Sequence, residues 1–135
     1  MNDNIRTYNE GTSNYSKHKF QCWDFWIKFK LNPFDADLLK RTLRTKSTDP
    51  RILDYKKMRH ICLERIRQIE NEENVFPLNN EYVNDALFDE MIKDYDLISD
   101  DYILTKKILY PTRYRIDDYM KIISLCDKRI NELEK

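Results

Sequence analysis

An internal repeat is the feature that most constrains the fold of this chain. The segment 51–70 reads RILDYKKMRHICLERIRQIE, and the segment 115–134 reads RIDDYMKIISLCDKRINELE. Shifted by 64 residues, the two segments share nine identical residues in twenty positions. A repeat of this length indicates two copies of one supersecondary unit. We therefore expect a duplicated unit in which one copy can keep a site that the other has lost.

The spacing of apolar residues predicts that both repeated segments are amphipathic helices. Apolar side chains recur three and four positions apart, which is the spacing of one helix face. One glycine and four prolines in 135 residues leave little room for hairpins or for a glycine-rich phosphate loop. The inner faces are predicted at Tyr55, Met58, Cys62, Ile66 and Ile69 in the first copy and at Tyr119, Ile122, Cys126, Ile130 and Leu133 in the second.

Breaks in this pattern divide the chain into helices. Asn32 followed by Pro33 is typical of an N-cap and a first helical residue, Pro50 begins the next helix, and Ser99 is expected to cap another. Helices are expected at 20–31, which should be heavily buried, and at 33–44, 50–70, 82–95, 99–110 and 113–134. We predict an all-α fold whose six helices form two tandem three-helix repeats packed about a pseudo-twofold axis.

The repeat also sets the predicted domain organisation. A chain of 135 residues suits one domain with one core, whereas units of roughly 50 residues are small for independent stability. We predict a single domain, 1–135, made of a flexible arm at 1–14, a first repeat at 15–70 and a degenerate second repeat at 80–135. A duplicated unit can replace a dimer or assemble further, so a homo-oligomer is a further expectation.

Charge is balanced overall but divided between the two repeats. Residues 17–69 carry 14 Lys and Arg against 6 Asp and Glu, and residues 70–135 carry 9 against 16. Opposite charges would aid docking of the repeats by modest, screened energies. The excess of positive charge also suits a first repeat that receives an anion. The net charge of zero argues against bulk nucleic-acid binding.

Composition disfavours several classes of protein. No apolar run approaches the roughly 20 residues of a membrane helix, and no signal peptide is visible, so we expect a cytoplasmic protein with no membrane partner. Three cysteines in apolar stretches predict buried, reduced thiols, and two histidines make a zinc site unfavourable. We expect no cofactor, apart from Mg²⁺ if the protein is a kinase.

A cluster of charged residues is the candidate anion or nucleotide site. Lys and Arg side chains beside the amide-rich start of a helix can cradle a phosphate, although a solvated helix face has the same pattern. The candidates are Asp37, Lys40, Arg41, Arg44, Lys46, Asp54 and Lys57. Because Asp54 and Lys57 recur as Asp118 and Lys121, we favour a structural ion pair for them.

Comparison of the two copies separates scaffold from site. An offset of 65 residues extends the repeat upstream of the long helices. The pairs on this offset are Trp23 with Phe88, Ile27 with Ile92, Lys40 with Thr105, Arg41 with Lys106 and Arg44 with Leu109. The basic cluster is then largely missing from the second copy, which predicts that the site belongs to the first.

Four short motifs in the first repeat carry a resemblance to a known family. They are Asn14-Tyr15, Gln21-Cys22-Trp23-Asp24, the run ADLLKRTLR at 36–44, and Asp54-Tyr55-Lys56-Lys57-Met58. In order and spacing they are similar to motifs of the SaV-like phage protein family, also called the DUF3310 domain, over residues 14–70. Where the family has His, Gly-Asn and Tyr, this chain has Asn14, Ala36-Asp37 and Arg41.

The resemblance implies two kinds of function. One branch of the family includes a phage nucleotide kinase that acts on deoxynucleoside monophosphates without a P-loop. The namesake branch is a lactococcal phage early protein that contacts a host protein and sensitises the phage to an abortive-infection system. Both branches imply the cytoplasm of an infected bacterial host. Whether this chain is an enzyme stays open.

Three functional hypotheses follow. The first, favoured by the altered motifs and the divided charge, is a phage early protein that binds a host protein. Its anchors would be exposed tyrosines among Tyr95, Tyr102, Tyr110 and Tyr114, although packing in the core or at its rim is the commoner role for such residues. The second is a nucleotide-binding, deoxynucleoside monophosphate kinase-like enzyme, in which Lys40 and Arg44 bind phosphates and Asp37 or Asp54 holds magnesium or orients the acceptor. The third is weak nucleic-acid binding through the basic first repeat.

Overall fold

Helices account for all the regular structure of the described residues. The computed structural model describes residues 19–45, 50–78 and 85–135. Its helices are α1 (Cys22–Lys28), α2 (Pro33–Leu43), α3 (Arg51–Glu70), α4 (Asp85–Ile92), α5 (Ser99–Leu109) and α6 (Arg115–Glu134). The prediction of an all-α fold with six helices is confirmed over these ranges. None of these helices has both the length and the apolarity needed to cross a membrane. The predictions for the arm at 1–14 and for Lys46 lie outside the described residues.

The two long helices lie at the centre of the molecule. α3 and α6 have 20 residues each, and their mutual contact is the most extensive between any two described helices. They pack through the predicted inner faces, where Tyr55, Cys62, Tyr119 and Cys126 are fully buried. Burial of one large apolar side chain contributes roughly 1.5–3 kcal/mol, so this contact is a major source of stability. Leu133, which we predicted to join this face, is instead exposed in the last turn of α6.

The two 11-residue helices, α2 and α5, begin in different ways. Before α2, the Asn32 side chain accepts a hydrogen bond from the Asp35 amide at 2.8 Å and Pro33 is the first helical residue, as predicted. In α5, however, Ser99 is already helical and no side chain caps the helix. The predicted Ser99 cap is therefore wrong. Asp101 lies in the first turn, where an acidic residue favours the helix dipole, but it is buried and accepts a hydrogen bond from Tyr55 of α3.

The first helix, α1, is shorter and more exposed than its apolar sequence predicts. It has seven residues, and the Gln21 amide before it donates a hydrogen bond to the Asp24 carboxylate at 2.8 Å. Phe25 is fully buried, but Trp23 and Ile27 are 47% and 67% exposed. The prediction of heavy burial is wrong for these two residues because a short helix lying on a core buries only one face.

Aromatic rings connect α1 with the second half of the chain. The Phe29 ring packs edge-on against Phe88 and Tyr110, with centroids 6.5 and 5.4 Å apart. The Tyr95 hydroxyl donates a hydrogen bond to the Phe20 carbonyl at 2.7 Å. Such ring pairs contribute about 0.5–1.5 kcal/mol beyond the area that they bury. Tyr95 and Tyr110 therefore serve packing, which is the commoner of the two roles predicted for them, and they are not exposed anchors.

The helix bounds of α2 and α5 fit a different upstream offset from the predicted 65 residues. α2 and α5 have equal lengths, and their first residues, Pro33 and Ser99, are 66 positions apart. The offset of 66 pairs two buried residues, Cys22 and Phe88, whereas the predicted offset of 65 pairs Phe88 with the exposed Trp23. The predicted offset is therefore wrong by one residue. The loop before α6 is two residues shorter than the loop before α3, which restores the offset of 64 in the long helices.

Candidate ligand-binding pocket

A buried cluster ties the start of α6 to both short helices. Arg115, the first residue of α6, donates hydrogen bonds to the carbonyl oxygens of Lys107 and Ile108 and to the Asp35 carboxylate at 3.0 Å. Tyr119 donates to the other carboxylate oxygen of Asp35 at 2.7 Å. Arg115 therefore satisfies carbonyl groups at the end of α5 while it pairs with a carboxylate of α2.

A second buried cluster makes the same contacts at the start of α3. Arg51 donates hydrogen bonds to the carbonyl oxygens of Arg41 and Thr42, near the end of α2, and pairs with Asp101 of α5 at 3.2 Å. Tyr55 donates a hydrogen bond to Asp101 at 2.6 Å. Each long helix therefore binds the end of the short helix before it and a carboxylate of the other short helix.

The buried positions of these groups determine their protonation. Burial and the Asp35 carboxylate raise the pKa of Tyr119 to about 12, and burial with the hydrogen bond to Asp101 raises the pKa of Tyr55. Burial acts to lower the pKa of Arg115, but the Asp35 carboxylate and Tyr119 together outweigh it and the pKa is raised. At neutral pH both tyrosines stay neutral and Arg115 stays charged, so these groups are structural rather than acid–base catalysts.

The three cysteines are buried, free thiols. Cys22, Cys62 and Cys126 are all buried and form no disulfide, as predicted. Burial raises the pKa of Cys62 and raises that of Cys126 to about 12. Because the thiolate is the nucleophile, neither of these two thiols is suited to covalent chemistry at neutral pH.

Asp54 lies among the arginines of the candidate site. Its buried carboxylate is 3.3 Å from Arg51, 3.6 Å from Arg41 and 3.8 Å from Arg44. Arg41 also pairs with Asp37 at 3.2 Å. Since these guanidinium groups already face carboxylates, a ligand with several phosphates would have to displace existing ion pairs.

The structure brings most of the predicted site residues together. Asp37, Lys40, Arg41, Arg44 and Asp54 lie on the second half of α2, just after it, or in the first turn of α3. Lys57, in contrast, is exposed on α3. Its predicted ion pair with Asp54 is wrong, because Asp54 pairs with arginines.

An open pocket of about 610 Å³ lies beside these residues, between α1 and α2. This volume is typical of small-ligand sites. The residues that line the pocket are Trp26, Leu31, Pro33, Ala36, Asp37, Lys40 and Arg41. The indole Nε1 of Trp26 is buried and has no hydrogen-bond partner among the described residues. The combination of apolar and cationic side chains suits an apolar group that carries an anion.

A small residue on α2 leaves this α1–α2 pocket open. Ala36 is the fourth residue of α2, whereas the fourth residue of α5 is Tyr102, whose ring packs against Phe88 with centroids 6.0 Å apart. Lys106, which has the position in α5 that Lys40 has in α2, lies over the Phe88 ring. At the two positions that correspond to Ala36 and Lys40, the second half therefore has an aromatic ring and a lysine, and both contact Phe88.

With an offset of 66 residues, fewer of the basic residues are specific to the first half. Lys40 and Arg41 have basic counterparts in Lys106 and Lys107, whereas Arg44 has none. On this offset Lys46 pairs with Thr112, so half of the predicted basic cluster is missing from the second copy rather than most of it. At the pocket, the cations Lys40 and Arg41 are matched in the second half, whereas the residue size at positions 36 and 102 is not.

The described residues contain no group of three or more His, Cys, Asp or Glu side chains that could hold a metal ion. Asp37 and Asp54, the residues predicted to hold magnesium in a kinase-like site, both pair with arginines. A magnesium site at these carboxylates would require those ion pairs to rearrange.

Sequence reasoning missed Trp26 as a pocket residue and missed the roles of Asp35 and Asp101. Trp26 was assigned to a heavily buried helix, and no local pattern distinguishes a pocket wall from a core residue. The two aspartates did leave a signal, since each is the third residue of a helix that precedes a repeated Arg-x-x-x-Tyr sequence.

Comparisons with known proteins find no match for this chain, whether with protein-family models, curated proteins or solved structures. The resemblance to the SaV-like family stays a prediction. The proposed function therefore rests on the side chains of α1 and α2.

Proposed function

We propose that this chain is a binding protein that recognises a partner protein through α1 and the α1–α2 pocket. The observation that carries the proposal is the pair of exposed side chains Trp23 and Ile27, one helical turn apart on α1. Trp26, on the same helix, lines the adjoining pocket. Exposed apolar clusters of this kind mark interaction sites, and tryptophan is enriched among residues that dominate binding energy.

The charge of this surface indicates an acidic partner. Lys28 is exposed at the end of α1, and Lys40 and Arg41 line the pocket. Complementary charge around an apolar contact speeds association and suppresses wrong partners. Together with the family resemblance, this supports a host protein as the partner, in the cytoplasm of an infected bacterium, as in sensitivity to abortive infection. The proposal requires no cofactor.

Site-specific photo-crosslinking tests this proposal. A photoreactive amino acid at position 27 should capture one partner from extracts of a bacterial host. Capture should be lost when Trp23→Glu is added. Leu63 is a matched control, because it is an exposed apolar residue on α3. The same photoreactive amino acid at position 63 should not capture the protein that position 27 captures. Equal capture of one protein from positions 27 and 63 would contradict the proposal.

Binding of a nucleotide in the pocket is the second candidate function. The volume of about 610 Å³, the aromatic wall at Trp26 and the cations Lys40 and Arg41 favour it. The ion pairs of Arg41 and Arg44 favour a monophosphate over a triphosphate, because fewer phosphate groups then compete with Asp54. A kinase-like activity on deoxynucleoside monophosphates would be the enzymatic form of this hypothesis.

Thermal-shift measurements with nucleoside mono- and triphosphates and magnesium test the nucleotide hypothesis. Stabilisation by a monophosphate that is lost in a Lys40→Ala/Arg41→Ala variant would support it. The absence of stabilisation by any nucleotide would refute it. A variant that keeps full binding would refute the assigned pocket.

Weak nucleic-acid binding stays a prediction with less support. Arg59 pairs with Asp127 at 2.7 Å, and Arg67 pairs with Glu64 and Glu73. Lysine and arginine side chains that follow a phosphate backbone are generally solvated, so this pairing disfavours a phosphate-binding surface on α3.

We also propose that the chain is a tandem repeat packed about an approximate twofold axis. The repeat in sequence supports this, as do the contacts of Arg51 and Arg115 with equivalent carbonyl groups of α2 and α5. The reciprocal use of Asp35 and Asp101 supports it further, since each carboxylate accepts hydrogen bonds from the other half.

A further inference from the structure

The second half of the molecule has a large aromatic residue at the position where the pocket has an alanine. Tyr102 stands at the position of Ala36, and its ring packs against Phe88, with the two centroids 6.0 Å apart. Tyr102 remains 38% exposed, so its ring is covered on one side only. An aromatic side chain of this size is therefore compatible with the helix geometry at this point, and the first half lacks it.

The lysine beside this ring makes two kinds of contact. The Nζ of Lys106 lies 4.3 Å from the centroid of the Phe88 ring and 3.5 Å from a carboxylate oxygen of Asp85. A lysine in this position thus binds an aromatic face and an acid at the same time. Lys40 occupies the same position in α2 and lines the α1–α2 pocket.

We propose that the α1–α2 pocket binds an aromatic side chain of the partner protein that has an acidic neighbour in its own sequence. The aromatic ring takes the place that Tyr102 has in the second half, and Lys40 binds the acidic group as Lys106 binds Asp85. This inference rests on the proposed function, because it names the segment of the partner that α1 and α2 recognise.

The remaining pocket residues suit such a segment. Leu31 and Pro33 supply apolar surface, and the side chain of Trp26 supplies an aromatic wall against which a ring of the segment can pack. Asp37 is also in the lining, but it pairs with Arg41 at 3.2 Å, so its charge is partly offset and an acidic segment can still bind.

Peptide titrations test this proposal on the full chain. Because the chain has two tryptophans, Trp23→Phe leaves Trp26 as the single indole reporter. We expect a capped Asp-Asp-Tyr-Asp peptide to shift the Trp26 indole N–H resonance in a saturable way. A matched Asp-Asp-Ala-Asp peptide and a matched Asn-Asn-Tyr-Asn peptide should each bind at least about tenfold more weakly, since each lacks one of the two contacts.

Three variants in the same background locate the site. Ala36→Tyr should abolish peptide binding by filling the pocket, and Lys40→Glu should weaken it at least about tenfold. Lys121→Glu removes an exposed lysine of α6 and should leave binding unchanged. If Ala36→Tyr does not fold, as judged by its thermal melt, the comparison of Lys40→Glu with Lys121→Glu still tests the site.

Two results would overturn the inference. One is that the acidic tyrosine peptide binds no better than its controls, and the other is that Lys40→Glu binds it as tightly as Lys121→Glu. Either result, combined with continued crosslinking of a partner at position 27, overturns this inference alone and leaves the proposed function standing.

Discussion

The two halves of the molecule, residues 19–78 and 85–135, share their buried contacts and differ at their surfaces. Arg51 and Arg115 both cap the end of the preceding short helix and both pair with an aspartate of the other half. On the surface, however, the first half has a pocket beside Ala36 and the second half has the Tyr102 ring. The buried contacts are therefore the scaffold, and the open pocket is the feature specific to one half.

The largest expected effect concerns the two aspartates that join the halves. Asp35→Ala should cost about 3–5 kcal/mol of unfolding free energy, because it leaves the buried guanidinium of Arg115 without its closest carboxylate. Asp101→Ala should cost about 2–3 kcal/mol, since its partner Arg51 is more exposed and keeps Asp54 at 3.3 Å.

Urea unfolding of both variants measures this difference. Asp37→Ala is the control, because its ion pair is partly exposed and should be worth less than about 1 kcal/mol. An Asp101→Ala variant that is less stable than Asp35→Ala would contradict the expectation that the more buried ion pair contributes more to the unfolding free energy.

A smaller effect is expected for the arginines that bind the buried tyrosines. Arg65 is 1% exposed and donates hydrogen bonds to Tyr119, Gln68 and Asn74, whereas Arg129 is more exposed and pairs with Glu132. Arg65→Met should cost roughly 2–3 kcal/mol because it leaves polar partners unsatisfied in the interior. Arg129→Met should cost about 1 kcal/mol or less. Equal losses of unfolding free energy for the two variants in a denaturant titration would argue against this ranking.

Exchanging the residues at the pocket position should have modest and unequal effects on stability. Tyr102→Ala should cost about 1–2 kcal/mol, less than a fully buried aromatic, because part of its ring is exposed. Ala36→Tyr should change stability by less than about 1 kcal/mol, since the pocket has room for the ring. A loss above about 3 kcal/mol for Ala36→Tyr in thermal unfolding would show that the pocket cannot hold an aromatic side chain.

The smallest effect is a slope of stability at alkaline pH. The pKa of Tyr119 is raised from its ordinary value of about 10 to about 12 in the folded protein. The stabilisation linked to this raised pKa is therefore complete below about pH 10. It is lost as the pH rises towards about 12, and the unfolding free energy then falls by at most about 1.4 kcal/mol per pH unit. Tyr119→Phe should reduce this slope in urea titrations between about pH 9 and 11. Tyr114→Phe, which changes an exposed tyrosine, should leave the slope unchanged. Identical slopes in the two variants would contradict the assignment.

Local patterns in the sequence predicted the helices and much of the core. The inner faces of α3 and α6 follow helical spacing, and the Asn32-Pro33 start of α2 depends on residues that are adjacent in the chain. These features need little tertiary information, because the helix geometry that produces them is local.

The candidate site depended on contacts that the sequence does not encode locally. The apolar residues of α1 could not reveal that Trp23 would be exposed while Phe25 is buried, since both fit an apolar helix. The pocket arises from a missing side chain at Ala36, and an alignment shifted by one residue hid its counterpart Tyr102. Asp101 pairs across the molecule, so its tertiary contact replaced the helix-start role that its position predicts.

The central claim is that the open position at Ala36 makes the α1–α2 pocket a binding site. The most direct measurement follows the Trp26 indole N–H resonance in the Trp23→Phe protein and in its Ala36→Tyr derivative. Each protein is titrated with the acidic tyrosine peptide and with deoxynucleoside monophosphates. We predict a saturable shift with at least one ligand in the open protein and none in the filled one. No shift with any ligand, or equal shifts in both proteins, would contradict the claim.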